Sequence, residues 1–149
     1  MKKFQFSLDG VLGYRQQVLE SRQNEYAKAL AQVREQQDRV DDATDRYHRL
    51  NRRFREEAAA GITAADALGL ENGLRVLEAE ILRETRLLEE CQRAAEEKRA
   101  QVLQAHMDAT VLERLKDKQK DAYQKEAQKS DERFIDELVS ATRAVKSSQ

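Results

Sequence analysis

The chain contains no proline and no tryptophan, only one cysteine, and five glycines among its 149 residues. Ordinary usage of proline would give about seven prolines in a chain of this length. β-Sandwiches, β-barrels and chains of βαβ units need many turn residues, so the scarcity of proline and glycine excludes them. The lone Cys91 excludes an internal disulfide framework and agrees with a reducing cytoplasm.

The chain is also poor in aromatic residues, and neither sign of charge dominates. Aromatic residues make up 5 % of the chain and the formal net charge is −1, which argues against a thick layered core and against a general attraction to nucleic acid or anionic lipid. No apolar run approaches the roughly 18 residues that cross a bilayer, so we expect no direct membrane insertion. The first ten residues lack the apolar region of a secretory signal. We therefore expect a soluble cytosolic protein.

The chain is rich instead in charge and in helix-forming residues. Ala, Leu, Glu, Lys and Arg make up a little over half of it, and 37 % of its residues are charged, against roughly 25 % in an ordinary domain. Apolar residues recur every seven positions, labelled a: Leu12, Leu19, Tyr26, Val33, Val40, Tyr47 and Phe54. The matching d positions are apolar at both ends and polar in the middle: Leu8, Arg15, Arg22, Ala29, Gln36, Ala43 and Leu50. A heptad held over so many repeats predicts a supercoiled helix.

A second heptad row follows in the second half of the chain. Its a positions are Leu74, Ile81, Leu88, Ala95, Val102 and Ala109. Its apolar d positions are Leu70, Leu77, Cys91, Ala105 and Leu112, with Glu84 and Lys98 interrupting the row. The apolar pattern changes phase near Leu112 and Leu115, then continues through Tyr123, Phe134, Leu138 and Val145. Such a shift is typical of a stutter, which locally unwinds a supercoil.

The break between the two rows contains three of the five glycines. Gly61 suits the position after a helix end because it adopts a positive φ without a Cβ clash, and Thr63 with Asp66 offers an N-cap for a short further helix. A short connection between two heptad helices favours an antiparallel hairpin.

We therefore predict an all-α fold, an elongated two-helix antiparallel coiled-coil hairpin with a longer second helix. The predicted single domain, 1–149, comprises helix 1 over about residues 5–58, a turn over about 59–68, helix 2 over about 69–143, and a frayed tail over 144–149.

The sequence offers little for catalysis. His48 and His106 should face the levels of residues 80 and 22 respectively, so they do not meet, and no zinc-type spacing or glycine-rich phosphate loop is present. Cys91 occupies a d position, where a small buried apolar residue is usual. We expect no catalytic residue, no cofactor and no metal, and hence no enzyme.

One segment, residues 46–55, is locally basic, with five arginines in ten residues. It could bind nucleic acid, dock a protein near the hairpin tip, or form a solvated face. Nucleic acid is disfavoured because acidic residues flank the segment and because Tyr47, Leu50 and Phe54 occupy heptad positions.

Both chain ends carry apolar residues whose packing the sequence leaves open. Phe4, Phe6 and Leu8 precede or open the first helix, and an apolar cluster lies in the part of the second helix that lacks a full-length mate: Phe134, Ile135, Leu138 and Val139. Either set could pack internally or bind a partner.

The N-terminal motif resembles that of a known family. The pattern Phe4-x-Phe6-x-Leu8-x-x-Val11-Leu12-x-x-Arg15 is similar to the start of FliJ proteins, small cytoplasmic components of the bacterial flagellar protein-export apparatus. The length, the break near residue 61 and the tail segments 112–119, 123–126 and 131–132 are similar too. The resemblance covers the whole chain.

The resemblance implies a non-enzymatic antiparallel coiled coil, similar to the central stalk of rotary ATPases. In that family the stalk lies in the ring of the flagellar export ATPase hexamer, promotes its assembly, contacts the cytoplasmic domain of the export gate protein and escorts empty export chaperones. It implies a cytoplasmic protein, peripherally associated with the inner-membrane export apparatus. The implied ATPase-ring candidates are Phe4, Phe6, Leu8, Tyr123, Phe134 and Leu138. The implied export-gate candidates are Tyr47, Leu50, Phe54, Leu74 and Leu77.

Two other functions remain open from the sequence. The first is the equivalent stalk of a virulence-type secretion system, which would share the rod and the ring. The second is a homodimeric coiled-coil scaffold in which long parallel helices pair between chains through the heptad positions.

Overall fold

A computed structural model describes residues 2–148 and contains two α-helices, α1 (Asp9–Ala60) and α2 (Ala64–Ser147). No strand occurs within the described range. The helices run antiparallel: Asp9 at the start of α1 pairs with Lys116 far along α2, and Arg46 towards the end of α1 pairs with Glu80. The predicted all-α antiparallel hairpin is confirmed.

The chain divides into two compact units, each containing part of both helices. One unit comprises the chain up to Leu19 together with the chain from Gln104 onward, and the other comprises Glu20–Leu103. We call them the terminal unit and the tip unit, and describe each by itself.

In the tip unit the heptad positions form the contact between the helices. The a and d residues of both helices are buried or half-buried, whereas most of the intervening positions are exposed. The most buried residues are mainly small ones: Ala29, Ala43, Leu88 and Ala95. Small residues let the two helix axes approach closely, in the manner of knobs packing into holes. Since these positions face the other helix of the same chain, they are not free for a parallel pairing between chains.

Polar residues at d positions form hydrogen bonds between the helices, in place of the apolar contacts made at other d positions. Buried Gln36 donates from Nε2 to the backbone oxygen of Glu84 at 2.9 Å and also to its carboxylate. Arg22 donates to Gln101 Oε1 at 3.2 Å. Burial of these polar groups is tolerated because their hydrogen bonds are satisfied.

The turn is shorter than the sequence predicts. Gly61 has a φ of +92°, as expected for the residue after a helix end. Thr63 Oγ1 accepts a hydrogen bond from the Asp66 N–H at 3.1 Å and so caps α2 itself, not a separate short helix. The connection between α1 and α2 consists of residues 61–63, against the expected 59–68. Gly69 and Gly73 lie inside α2, and the half-buried Leu70 and Leu74 next to them offset a propensity cost of about 1 kcal/mol per glycine.

In the terminal unit the chain before α1 is an ordered arm, not a helix from about residue 5. The Asp9 N–H donates to the Phe6 oxygen at 3.1 Å, and the Asp9 carboxylate in the first turn favours helix initiation there. Phe6 is buried, with 7 % of its surface exposed, as are Leu12, Ala105 and Ala109. Arg15, another polar residue at a d position, forms an ion pair with α2: its Nη1 lies 3.7 Å from Asp108 Oδ2.

The far end of α2 is exposed throughout the part that the structure describes. Every residue from Gln128 to Ser148 is exposed, yet the helix continues to Ser147. The predicted frayed tail, 144–149, is thus helical over residues 144–147, and Gln149 lies outside the described residues.

Candidate partner-binding surfaces

An exposed apolar surface lies on the last part of α2. Five residues at helical spacing form what we call the C-terminal stripe: Phe134, Ile135, Leu138, Val139 and Val145. All five are exposed, Phe134 by 62 % and Leu138 by 53 %. Their spacing places them on one side of the helix, and the described structure offers no apolar neighbour to cover them. Contiguous exposed apolar residues of this kind mark interaction surfaces.

The six ATPase-ring candidates lie in different environments. Phe4 and Tyr123 come together, with ring centroids 5.6 Å apart and planes tilted by 47°, and both are half-buried. Phe6 belongs to the core, whereas Leu8 is 37 % exposed. The arm therefore packs on α2 through its aromatic residues, and of the six candidates only Leu8, Phe134 and Leu138 are exposed.

The five export-gate candidates are all half-buried in the contact between the helices of the tip unit: Tyr47, Leu50, Phe54, Leu74 and Leu77. Three of them, Tyr47, Phe54 and Leu74, line one shallow groove. Their edges are accessible from that groove while their inner faces pack between the helices. The structure thus brings Tyr47, Phe54 and Leu74 together at one surface and leaves Leu50 and Leu77 out of the lining.

A polar network borders this groove and holds its side chains in place. The Tyr47 hydroxyl donates to Glu78 Oε1 at 3.4 Å, and Arg75 Nη1 donates to Glu78 Oε2 at 3.0 Å. Arg75 also pairs with Glu71 at 3.6 Å. The hydrogen bond to Glu78 raises the pKa of the Arg75 guanidinium, which stays charged. A partner at this groove would meet apolar edges beside a fixed cation and two carboxylates.

Ion pairs between the helices occur at two levels of the tip unit. Arg46 donates to the Glu80 carboxylate and to Asp42 Oδ2, the latter at 3.0 Å. The hydrogen bond from Arg46 lowers the pKa of Glu80 below its usual range. Glu25 accepts bonds from Arg22 at 3.2 Å and Lys98 at 3.4 Å, which lower its pKa in the same way. These carboxylates join the helices, and their lowered pKa values are the opposite of what a general acid requires.

The histidines and the cysteine lie apart. His48 is exposed, with its ring 5.8 Å from that of Tyr47, and His106 is exposed in the other unit. The sequence predicts that His48 lies opposite the level of residue 80. Its neighbour Tyr47 forms a hydrogen bond with Glu78, which is close to that level. Cys91 is half-buried at its d position. Within residues 2–148, no group of three or more His, Cys, Asp or Glu side chains is placed to hold a metal ion.

The arginines of the basic segment, residues 46–55, differ in their ion pairs and in the helix face on which they lie. Arg46 is paired with Glu80, and Arg53 donates to Glu57 Oε1 at 2.9 Å. Arg49, Arg52 and Arg55 are exposed on the face of α1 directed away from α2. Arg46 therefore joins the two helices, whereas the pair of Arg53 with Glu57 lies within α1.

The heptad pattern gave no indication of some exposed apolar residues of the terminal unit. Val11, Tyr14, Met107 and Val111 are all exposed and lie outside the a and d positions. Apolar residues at outward heptad positions are the signal that could have identified them. In addition, neither helix of the described chain contains a stretch that is long and apolar enough to span a membrane.

Comparison with known proteins identifies one matching family. The family model described as flagellar FliJ protein matches residues 4–148. No curated protein and no solved structure matches the chain. The FliJ family is a non-catalytic component of the flagellar protein-export apparatus. Because the match extends over nearly the whole chain, this protein belongs to the flagellar FliJ family.

Proposed function

We propose that this chain is a non-enzymatic stalk that binds the flagellar export ATPase, promotes assembly of its hexameric ring and links the ring to the cytoplasmic domain of the export gate. Escort of empty export chaperones is part of the same proposal. The C-terminal stripe on a member of the flagellar FliJ family is the observation that carries it. The family match favours the flagellar system over a virulence-type one.

The C-terminal stripe has the chemistry of a binding surface. It combines an aromatic side chain with branched aliphatic ones on a single helix side that α1 does not cover. Large apolar side chains contribute most to binding when a partner removes them from water, about 25 cal/mol per Å² buried. A helix that presents such a stripe can insert into an apolar channel without any active site of its own.

The N-terminal arm supports this surface indirectly. Phe4 packs on Tyr123 and Phe6 is buried, so the arm holds the segment of α2 that precedes the C-terminal stripe. We assign ring contact to Leu8, Phe134 and Leu138, and a positioning role to Phe4, Phe6 and Tyr123.

Export-gate binding is assigned to the groove in the tip unit. Tyr47, Phe54 and Leu74 line it, and Arg75 with Glu78 gives it a polar border. Apolar side chains within a polar rim are the usual composition of a protein-binding patch.

ATP hydrolysis and hexamer yield of the cognate export ATPase test ring binding. Wild-type chain should raise both, and Phe134→Ala with Leu138→Ala should remove the stimulation. Val76→Ala with Leu68→Ala is the matched control, since those residues are also exposed and apolar but lie in the tip unit. An ATPase that does not respond to the wild-type chain would refute the stalk proposal.

Binding to the separate cytoplasmic domain of the gate tests the other assignment. Tyr47→Ala with Phe54→Ala should weaken gate binding but leave ATPase stimulation intact, and the stripe variant should do the reverse. Circular dichroism must first show that both variants stay helical, because Tyr47 and Phe54 also pack between the helices. Equal loss of both activities in either variant would contradict separate sites.

A further inference from the structure

The outward face of α1 in the tip unit carries a charge pattern that the proposed function does not use. Six residues at alternating spacings of three and four form what we call the outer stripe: Asp38, Asp41, Asp45, His48, Arg52 and Arg55. Spacings of three and four place them in one row along the helix, and all six are exposed. The first three are acidic and the last two are basic.

These charges have no ionic partner among the residues that the structure describes. In the range that the structure describes, none of the six forms an ion pair, whereas the neighbouring Arg46 and Arg53 both do. Asp41 accepts a hydrogen bond from the neutral Gln37, at 3.0 Å. Exposed Arg49 lies beside the stripe and adds a third arginine to its basic half.

The stripe is complementary to itself when reversed. If a second α1 lies antiparallel on this face, Asp38 opposes Arg55, Asp41 opposes Arg52, and Asp45 opposes His48 with Arg49 alongside. Each opposed pair is centred on the same point, midway between residues 46 and 47. A twofold interface requires this property, because each residue must find its complement on an identical chain.

We infer that two copies of this chain associate antiparallel through their outer stripes, about a twofold axis at that midpoint. The outermost pair, Asp38 with Arg55, lies about 13 Å along the helix from the axis at 1.5 Å per residue. Two helices that cross at a shallow angle of about 20° remain within reach of aspartate and arginine side chains over that distance. The interface leaves the a and d positions within each hairpin, so it differs from a parallel heptad dimer.

Charge distribution favours a second copy over other partners. A nucleic acid lying along the stripe would meet three carboxylates as well as the arginines, which opposes phosphate binding. An unrelated acidic protein would explain the basic half but would be repelled by the acidic half. The acidic and basic residues lie at equal distances on either side of one midpoint, and such an arrangement is expected only if the partner carries the same stripe.

The association should be weak and sensitive to salt. Exposed ion pairs contribute little individually, and mobile ions screen them. We expect a dimer at high protein concentration and low salt that dissociates as salt is added, with an apparent Kd about tenfold or more higher at 0.5 M than at 0.02 M NaCl.

Sedimentation equilibrium of the full chain tests the interface. At low salt the wild-type chain should approach twice its 17.2 kDa mass. Asp38→Arg with Asp41→Arg should be monomeric, as should Arg52→Asp with Arg55→Asp, because in each variant the opposed pairs 38/55 and 41/52 carry like charges. The fourfold variant that combines these substitutions restores every opposed pair at the wild-type net charge, and it should dimerise again. A mixture of the two double variants should form a heterodimer.

Control variants separate the stripe from net charge and from the other exposed surfaces. Asp131→Arg with Asp136→Arg changes the net charge by the same amount as Asp38→Arg with Asp41→Arg, but on the exposed end of α2. This variant should leave the dimer intact. Phe134→Ala with Leu138→Ala should also leave it intact. The inference fails if the wild-type chain stays monomeric at low salt, if either stripe double variant dimerises as well as wild type, or if the fourfold variant stays monomeric.

Discussion

The part of α2 that packs against α1 and the part beyond it carry similar residues but use them differently. In the tip unit, Leu88 faces α1 and is only 8 % exposed, whereas Leu138 in the C-terminal stripe is exposed by half. Both are leucines at helix-interior positions. The difference shows that the hairpin depends on its heptad contacts, while the far end of α2 leaves its apolar side chains available for a partner.

The largest expected effect comes from making the same truncation in both places. Leu88→Ala should destabilise the chain by about 2–3 kcal/mol, because it removes buried methyl groups and leaves a cavity. Leu138→Ala should change the free energy of unfolding by less than about 0.5 kcal/mol, because the side chain is already in water. Urea denaturation monitored by circular dichroism measures both. Equal effects would mean that the C-terminal stripe is covered in the free chain.

The same comparison can be made with a polar side chain. Gln36→Ala should cost about 1–2 kcal/mol, because it removes a buried side chain that bonds both the backbone and the carboxylate of Glu84. Gln128→Ala, at an exposed position of α2, should be neutral or slightly stabilising through helix propensity. Thermal unfolding of the two variants beside the wild type separates these outcomes, and an unchanged Tm for the Gln36 variant would refute the role assigned to this bond.

A smaller effect is expected at two glycines inside α2. Gly69→Ala should raise stability by about 1 kcal/mol, because alanine favours the helix and nothing lies within 4 Å of the added Cβ. At Gly73 the new Cβ would lie 3.0 Å from Leu50 Cδ2, so Leu50 must shift and the gain should be smaller. Denaturation midpoints of the two variants measure the difference. A larger gain at Gly73 would show that the helices are more loosely packed there than the structure indicates.

The sequence predicted those parts of the fold that depend on local pattern. The heptad rows identified the residues that face the other helix, and Gly61 marked the end of α1. The turn was overestimated because Gly69 and Gly73 suggest a break, although both lie within α2, beside the half-buried Leu70 and Leu74. The environment of Phe4 and Phe6 was not predictable, because it depends on Tyr123 and its neighbours, more than a hundred residues away and beyond the change of heptad phase.

The smallest effect concerns the pH dependence of the paired region. Arg46 lowers the pKa of Glu80 in the folded chain, so the unfolded chain binds a proton there at higher pH. The contribution of this pair is complete above the ordinary carboxyl pKa of 4.5 and is lost as pH falls towards the lower folded value. Unfolding free energies measured from neutral to acid pH should therefore decline less steeply for Glu80→Gln than for wild type. Arg46→Gln should flatten the decline similarly and the double variant no further, since one interaction is removed in each case. An unaltered acid slope in Glu80→Gln would mean that Arg46 does not stabilise the ionised carboxylate, and additive effects would mean that the two residues act on different groups.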